Sequence, residues 1–127
     1  MVYGIDGNNV VGSYSDAYGN GHGFLFNGST WITLSSATIP SGISGNNIVG
    51  TYNGPDPSYW SGCIYNGSYY HMLNYPNSVD TSANGISGNN IVGNYYNLLG
   101  TSALANPQGF LYDGNSYSTI NELLRHS

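Results

Sequence analysis

The apolar residues of this chain come in short runs that do not alternate with polar residues. Val10-Val11, the run 24–26 and Ile64-Tyr65 are examples, and each lies within a few residues of Gly or Asn. A strand with one solvated face alternates apolar and polar positions, whereas a strand covered on both faces reads as a continuous apolar run. The pattern therefore predicts short β-strands in sheets that are covered on both faces.

One motif, Gly-Ile-x-Gly-Asn-Asn-Ile/Val-Val-Gly-x-Tyr, occurs three times, beginning at Gly4, Gly42 and Gly85. A second block follows each copy and reads Gly-Phe-Leu-Phe-Asn-Gly in the first. Recurrence of this kind is the signature of a repeat architecture. We therefore expect one repeat domain over 1–127. Its units are predicted at about 1–41, 42–84 and 85–127.

Each unit is predicted to hold four antiparallel strands. The x-Gly-Asn-Asn stretch predicts a tight turn between the first two strands, because Gly and Asn tolerate positive φ. The second block closes with Asn-Gly or Asp-Gly, which predicts a two-residue hairpin loop between the third and fourth strands. Only 121–125 suggests a helical turn. The variable loops between the second and third strands are predicted at 15–21, 53–59 and 96–106.

Three four-stranded units fit propeller-like blades, a β-trefoil or a β-prism. The uninterrupted apolar runs favour blades, because blades stack face to face. Propellers typically have about four to eight blades, so three blades cannot enclose a channel and would leave an apolar face open at each end. We therefore expect a homodimer that closes a six-bladed ring through its terminal blades. A monomeric trefoil or prism and a fragment of a longer array are the alternatives.

The scarcity of charge excludes several classes of function. Charged residues make up 6% of the chain, and Arg125 is the only Lys or Arg, against six Asp and Glu. Nucleic-acid binding needs many cationic phosphate contacts, and phosphate-handling enzymes need cationic clamps. Aromatic residues are 14% of the chain, which favours a folded domain over disorder. No nucleic-acid partner is expected.

Cysteine content and hydropathy exclude an internal disulfide, a multi-cysteine zinc site and a membrane helix. Cys63 is the only cysteine, so the chain cannot form an internal disulfide or a zinc site of several cysteines. No apolar run reaches the 18 residues expected of a membrane helix, so no membrane span is predicted.

The two blocks together resemble the bacterial extracellular repeats named for a His-Ala-Phe triplet, the HAF repeats. The triplet stands here as His22-Gly23-Phe24, but the later units have Ser61-Gly62-Cys63 and Gln108-Gly109-Phe110. The resemblance covers nearly the whole chain. It implies propeller-like sheets and an extracellular protein exported from a bacterium, and it supplies no catalytic residues. Because two units lack the triplet His, we do not expect a repeated His ligand.

The acidic residues do not form a recognisable catalytic or metal-binding pattern. A glycosidase needs two carboxylates that face each other across its substrate, and here the acids are scattered through the units. The Gly-x-Ser-x-Gly nucleophile motif is missing. The stretch 6–9 has a slight likeness to a calcium loop, but Ser44 and Ser87 replace Asp6 in the other units. We expect a non-enzymatic protein without a metal or cofactor.

Neutral sugar binding fits the composition best, because aromatic rings and uncharged hydrogen-bonding groups hold neutral sugars without cations. The variable loops and their flanks are rich in these residue types. Repeated shallow sites would add avidity. A structural or protein-interaction module without a small ligand is the alternative. The candidate ligand-binding residues are Asp16, Tyr18, His22, Asp56, Tyr59, Trp60, Tyr96, Asn97 and Gln108.

Overall fold

Three four-stranded antiparallel sheets and one two-stranded hairpin contain all the regular structure of the described residues. This confirms the all-β prediction of three four-stranded units. No helix occurs in this part of the chain, and so none there could cross a membrane. The helical turn predicted at 121–125 lies outside the described residues. The computed structural model describes residues 1–35, 38–53, 60–99, 103–104 and 107–120.

The strands follow the repeat closely. The first sheet has the order β1-β2-β3-β4 and the second β5-β6-β7-β8. The third has the order β9-β10-β13-β14, and β11 and β12 form a separate hairpin within the third variable loop, where no strand was predicted. The strands are β1 (Val2–Asp6), β2 (Asn9–Ser15), β3 (Gly21–Phe26), β4 (Trp31–Thr33), β5 (Thr38–Ser44), β6 (Asn47–Tyr52), β7 (Ser61–Tyr65), β8 (Tyr70–Leu73), β9 (Asp80–Ser87), β10 (Asn90–Tyr96), β11 (Leu98–Leu99), β12 (Ala103–Leu104), β13 (Gln108–Tyr112) and β14 (Tyr117–Ile120).

Glycines at positive φ form the turns. The predicted turn between the first two strands is present in every sheet, with φ near +60° at Gly7, Gly45 and Gly88. This left-handed conformation carries no steric penalty at glycine.

The two-residue hairpin loops predicted between the third and fourth strands are present in all three sheets. Gly28 and Ser29 are the central residues, because the Asn27 amide donates to the Thr30 carbonyl. Asn27 flanks the loop, and its side-chain oxygen accepts hydrogen bonds from the Ser29 and Thr30 amides. The Asn of the Asn-Gly pair therefore stabilises the loop from its flank rather than from within it. The Asp113 carboxylate caps the third sheet's loop in the same way, and these amides hold its pKa below the usual value.

Register assigns the strand residues to two faces, because residues directly opposite each other share a face. We call the face that carries Ile5, Ile43 or Ile86 the head face, and the face that carries Val11, Val49 or Val92 the tail face. In the three sheets the head faces hold Ile5, Val10, Phe26 and Trp31; Ile43, Ile48, Tyr65 and Tyr70; and Ile86, Ile91, Tyr112 and Tyr117. The tail faces hold Gly4, Val11, Leu25 and Ile32; Gly42, Val49, Ile64 and His71; and Gly85, Val92, Leu111 and Ser118.

The sheets stack tail to head, and this stacking forms two apolar cores. In the first core, Val11 of the first tail face packs with Ile43 and Ile48 of the second head face. In the second, Val49 of the second tail face packs with Ile91 of the third head face. Within the described residues only the middle sheet is therefore covered on both faces, so the prediction of two covered faces is met in that sheet, although the first and third sheets carry the same apolar runs.

Cys63 is a core residue of the middle sheet. Its side chain is 1% exposed, and burial raises the pKa of its thiol to about 11. A protonated and inaccessible thiol is a poor nucleophile and a poor metal ligand. This cysteine therefore acts as a small apolar residue in the position that Phe24 and Phe110 occupy in the other sheets.

Candidate ligand-binding clefts

Two clefts open between neighbouring sheets, where the second strand of each sheet runs toward its variable loop. Both are close to 300 Å³, at the lower end of small-molecule sites. The cleft between the first and second sheets is lined by Tyr3, Ser13, Gly21, His22, Gly23, Thr38 and Ile39. The cleft between the second and third sheets, which we call the Trp60 cleft, is lined by Ile39, Thr51, Trp60, Ser82, Asn94 and Tyr96.

The two clefts occupy equivalent places in the repeat. Ser13 and Thr51 both follow the Ile/Val-Val-Gly run, and each lines its own cleft. Gly21 and Trp60 both stand two residues before the glycine that opens the second block. The same site is therefore built twice, but only the second copy carries a tryptophan.

Trp60 is held at the cleft through its backbone. Its amide donates to the Asp80 carboxylate at 2.9 Å, and its carbonyl accepts from the Thr81 amide at 3.2 Å. Both partners begin β9, so the third sheet fixes the position of a residue of the second. The Trp60 side chain is 45% exposed, which leaves a large part of the ring available to a ligand.

The rest of the described lining of the Trp60 cleft joins the apolar side chain of Ile39 to polar, uncharged groups. Thr51, Ser82 and Asn94 come from β6, β9 and β10 and supply two hydroxyls and one amide. Tyr96 closes the cleft at the end of β10, where its carbonyl accepts from the Val79 amide. An indole, a phenol and neutral hydrogen-bonding groups suit a ligand with both C–H faces and hydroxyls.

The first cleft has an ordered polar pair beside it. Asp16 Oδ2 and His22 Nε2 lie 2.9 Å apart, and Asp16 Oδ1 accepts from the amides of Tyr18 and Asn20. The His22 ring stacks on Tyr14 with a centroid distance of 5.1 Å. These contacts close the first variable loop on itself, so most of the hydrogen-bonding capacity of Asp16 is used within the loop.

The Asp16 carboxyl is expected to titrate well below an ordinary aspartate. The hydrogen bond from His22 and then that from the Asn20 amide lower its pKa from 3.8 to about 2. Because the folded pKa is depressed, the stabilisation of this loop is complete above the unfolded pKa and is lost as the pH falls toward 2. Carboxyl-carbon NMR across this range measures the midpoint directly.

His22→Ala should raise the Asp16 midpoint toward 3.8, because it removes the largest cause of the shift and leaves the two backbone donors. His71→Ala is the control, since His71 lies in β8 of the second sheet. A wild-type midpoint near 3.8 would contradict this assignment.

The structure brings some of the predicted residues together and separates others. Trp60 and Tyr96 share one cleft, and His22 lines the other beside Asp16. The Tyr18 side chain is 91% exposed in the Asp16 loop, away from the lining of both clefts. Asn97 follows β10 and Gln108 begins β13; both are half-buried, and neither is among the described lining residues of these two clefts. Asp56 and Tyr59 lie outside the described residues.

Four residues of the Trp60 cleft were not predicted, because the candidates from sequence lie in or beside the variable loops and these four side chains lie on strands. One signal was present, since the variable residue of the Gly-x-Tyr motif is Ser13, Thr51 or Asn94. A small polar residue at a fixed point of a repeated apolar strand indicates a solvent-accessible position. The missed residues are Ile39, Thr51, Ser82 and Asn94.

The tyrosine that ends the repeated motif packs within the fold. Tyr95 is 5% exposed, and its ring stacks on Tyr75 at 3.7 Å while its hydroxyl pairs with Thr119. Tyr52 packs against Tyr70 in the second sheet. These contacts favour the interpretation of this position as a packing residue.

Asp6 takes part in a contact between sheets. Its carboxylate accepts a hydrogen bond from the Gly45 amide at 2.6 Å, so the first turn is joined to the second. Within the part of the chain that the structure describes, no three His, Cys, Asp or Glu side chains come together.

The resemblance to HAF repeats stays a prediction from the motifs, because the comparisons with known proteins do not test it. No protein-family model, curated protein or solved structure matches this chain. Function is therefore inferred from the geometry of the clefts and faces described above.

Proposed function

We propose that this protein is a non-catalytic binding module for neutral glycans and that the Trp60 cleft is its binding site. The observation that carries the proposal is the composition of this cleft, which joins Trp60 and Tyr96 to Thr51, Ser82 and Asn94 without a charged side chain among the lining residues that the structure describes. The exposed indole would stack on a sugar ring, and the hydroxyl and amide groups would hydrogen-bond its hydroxyls.

The cleft differs from an enzyme site in what it lacks. Among the described residues that line it there is no carboxylate, thiol or imidazole that could act as an acid, base or nucleophile. The nearby carboxylate of Asp80 already accepts from the Trp60 amide. A binding role therefore fits this cleft better than a catalytic one.

We further propose that the three sheets are propeller-like blades and that two copies close a six-bladed homodimer. Face-to-face stacking of the sheets supports blades over a β-trefoil or β-prism, and the uncovered end faces support association. A two-copy ring would present the Trp60 cleft twice, which would add avidity to weak single-site binding. An extracellular location on or outside a bacterium, as the HAF resemblance implies, would place such a module among glycans.

A glycan array probed with the purified chain tests the proposed function. We expect binding to neutral sugars, and Trp60→Ala should lower the affinity roughly 30-fold or more, as loss of a central aromatic contact does at a binding hot spot. Tyr69→Ala is the matched control, because Tyr69 is 76% exposed and lies outside the cleft.

Equal binding by wild type and Trp60→Ala would exclude this cleft. Absence of binding to every neutral sugar would favour a structural or protein-interaction module. The uncovered apolar faces would then be its functional surfaces.

A further inference from the structure

The two end faces of the stack are apolar and uncovered. On the head faces, Ile43 of the second sheet is 6% exposed, while the equivalent Ile5 of the first sheet is 68% exposed. On the tail faces, Val49 is fully buried and the equivalent Val92 of the third sheet is 43% exposed. The same repeat position is therefore core within the stack and surface at its ends.

These two end faces are of complementary types. Both internal junctions join a tail face to the head face of the next sheet, as in the packing of Val11 with Ile43. The first sheet leaves its head face open and the third leaves its tail face open. A second copy could therefore repeat at the ends the junction that the chain already makes twice.

Glycines on the first strands mark the same junction. A Cβ added at Gly4 would lie 3.1 Å from the Gly42 Cα, and one at Gly42 would lie 3.6 Å from the Gly85 Cα. At Gly85 an added Cβ would meet only Val92 of its own sheet, at 3.5 Å. Gly85 thus occupies the close-approach position of the repeat, but no further sheet among the described residues approaches it.

Turn-to-turn hydrogen bonds give the junction a register. Asp6 Oδ2 accepts from the Gly45 amide at 2.6 Å, and Ser44 Oγ accepts from the Gly88 amide at 3.1 Å. In each bond the amide of the second glycine of one Gly-Ile-x-Gly turn donates to the side chain of the x residue in the preceding turn. Two groups of this series remain without a partner among the described residues, the Ser87 hydroxyl and the Gly7 amide.

We infer that a second copy of this chain seats its head face on the open tail face of the third sheet, with Ser87 Oγ accepting from the amide of Gly7 of the partner subunit. The inference deepens the two-copy ring proposed above and rests on it. Ile5 of the partner subunit then covers Val92, as Ile43 covers Val11. The two junctions of the ring are identical, so both copies bury both end faces.

A pair of single-charge variants tests the head-to-tail join. Wild type should sediment with the mass of two 13.5 kDa chains. Ile5→Lys and Val92→Asp should each sediment as one chain, because each places an unpaired charge in both junctions. Mixed in equal amounts, they should recover the two-chain mass. In such a mixed ring the introduced lysine and aspartate face each other across one junction, and the other junction is unaltered.

The controls distinguish an effect on the contact between copies from an effect on folding or of added charge. Ile5 and Val92 are exposed in the single chain, so both variants should keep the wild-type circular dichroism spectrum and a cooperative melting transition, with a melting temperature lowered only by the loss of dimerisation. Tyr69→Lys adds a charge at an exposed position away from both end faces and should stay a dimer.

The outcomes distinguish this inference from the ring itself. A single-chain wild type overturns the ring and the inference together. A two-chain wild type whose variants do not recover on mixing overturns only the head-to-tail join. If Val92→Asp alone remains a dimer, the copies join head to head. If Ile5→Lys alone remains a dimer, the copies join tail to tail.

The turn contact has its own measurement. Ser87→Ala should weaken dimerisation roughly fivefold for each of the two junctions, the effect expected of one neutral hydrogen bond. Ser87→Asp should strengthen dimerisation, because the carboxylate would match the bond that Asp6 makes with Gly45. Ser29→Ala, in an exposed hairpin turn, is the control. Equal dissociation constants for all three variants would exclude the Ser87–Gly7 bond.

Discussion

Gly50→Ala is expected to unfold the protein or to lower its free energy of unfolding by on the order of 4 kcal/mol or more, at the upper end for single substitutions. Gly50 lies in β6, and an added Cβ would lie 2.1 Å from the Ile39 carbonyl oxygen and 2.8 Å from the Pro40 Cα. Both atoms belong to the backbone of β5, so no side-chain rotation can relieve the contact.

The cause of this crowding is a bulge that all three sheets share. The pairing of the first and second strands shifts between Pro40 and Gly42, and the same shift occurs at the equivalent place in the first and third sheets. At the bulge, the backbone of the first strand passes close to the glycine of the second strand. In the third sheet an added Cβ at Gly93 would lie 2.0 Å from the Ser82 carbonyl oxygen. The glycine that follows the repeated valine is therefore a requirement of the bulge.

Chemical denaturation measures this prediction. Gly21→Ala is the matched control, because Gly21 also lies in a strand and has an ordinary φ, but an added Cβ meets nothing within 4 Å. The control should change the free energy of unfolding by less than about 1 kcal/mol. A Gly50→Ala variant as stable as the Gly21→Ala control would show that β5 can move away from β6.

Phe110→Ala is expected to lower the free energy of unfolding by about 3–5 kcal/mol, the range for deletion of a buried aromatic side chain. Phe110 is fully buried. It lies over Gly93, where an added Cβ would be 2.8 Å from its ring, and it packs with Tyr117 and Tyr95 at centroid distances of 5.7 and 6.4 Å. The cavity left behind would be lined by the rings of Tyr75, Tyr95 and Tyr117, which pack on one another and on Phe110.

The denaturation midpoint of Phe110→Ala should fall well below that of Tyr18→Ala. Tyr18 is 91% exposed, so its truncation should cost less than about 0.5 kcal/mol. Loss of Phe110 with a similarly small effect would mean that Tyr75 or Tyr95 refills the space.

The candidate site was only partly predictable from sequence. Trp60 and Tyr96 stood out because an aromatic residue beside a variable loop indicates a ligand contact. That both residues line one cleft could not be predicted, because they belong to different sheets and the distance between them depends on how those sheets stack. Asp16 and His22 were also proposed as ligand-binding residues, and the structure places them in a hydrogen bond with each other.

The sequence alone determined the three sheets, their four strands and their turns, because turn conformation and strand pattern depend on residues that are neighbours along the chain. Tertiary structure decided which faces meet, where the bulged first strands cross the glycines and which polar residues of β6, β9 and β10 share the Trp60 cleft. Those features depend on the packing of side chains from two sheets at once. Identical repeat positions such as Val49 and Val92 therefore become core or surface according to whether another sheet follows.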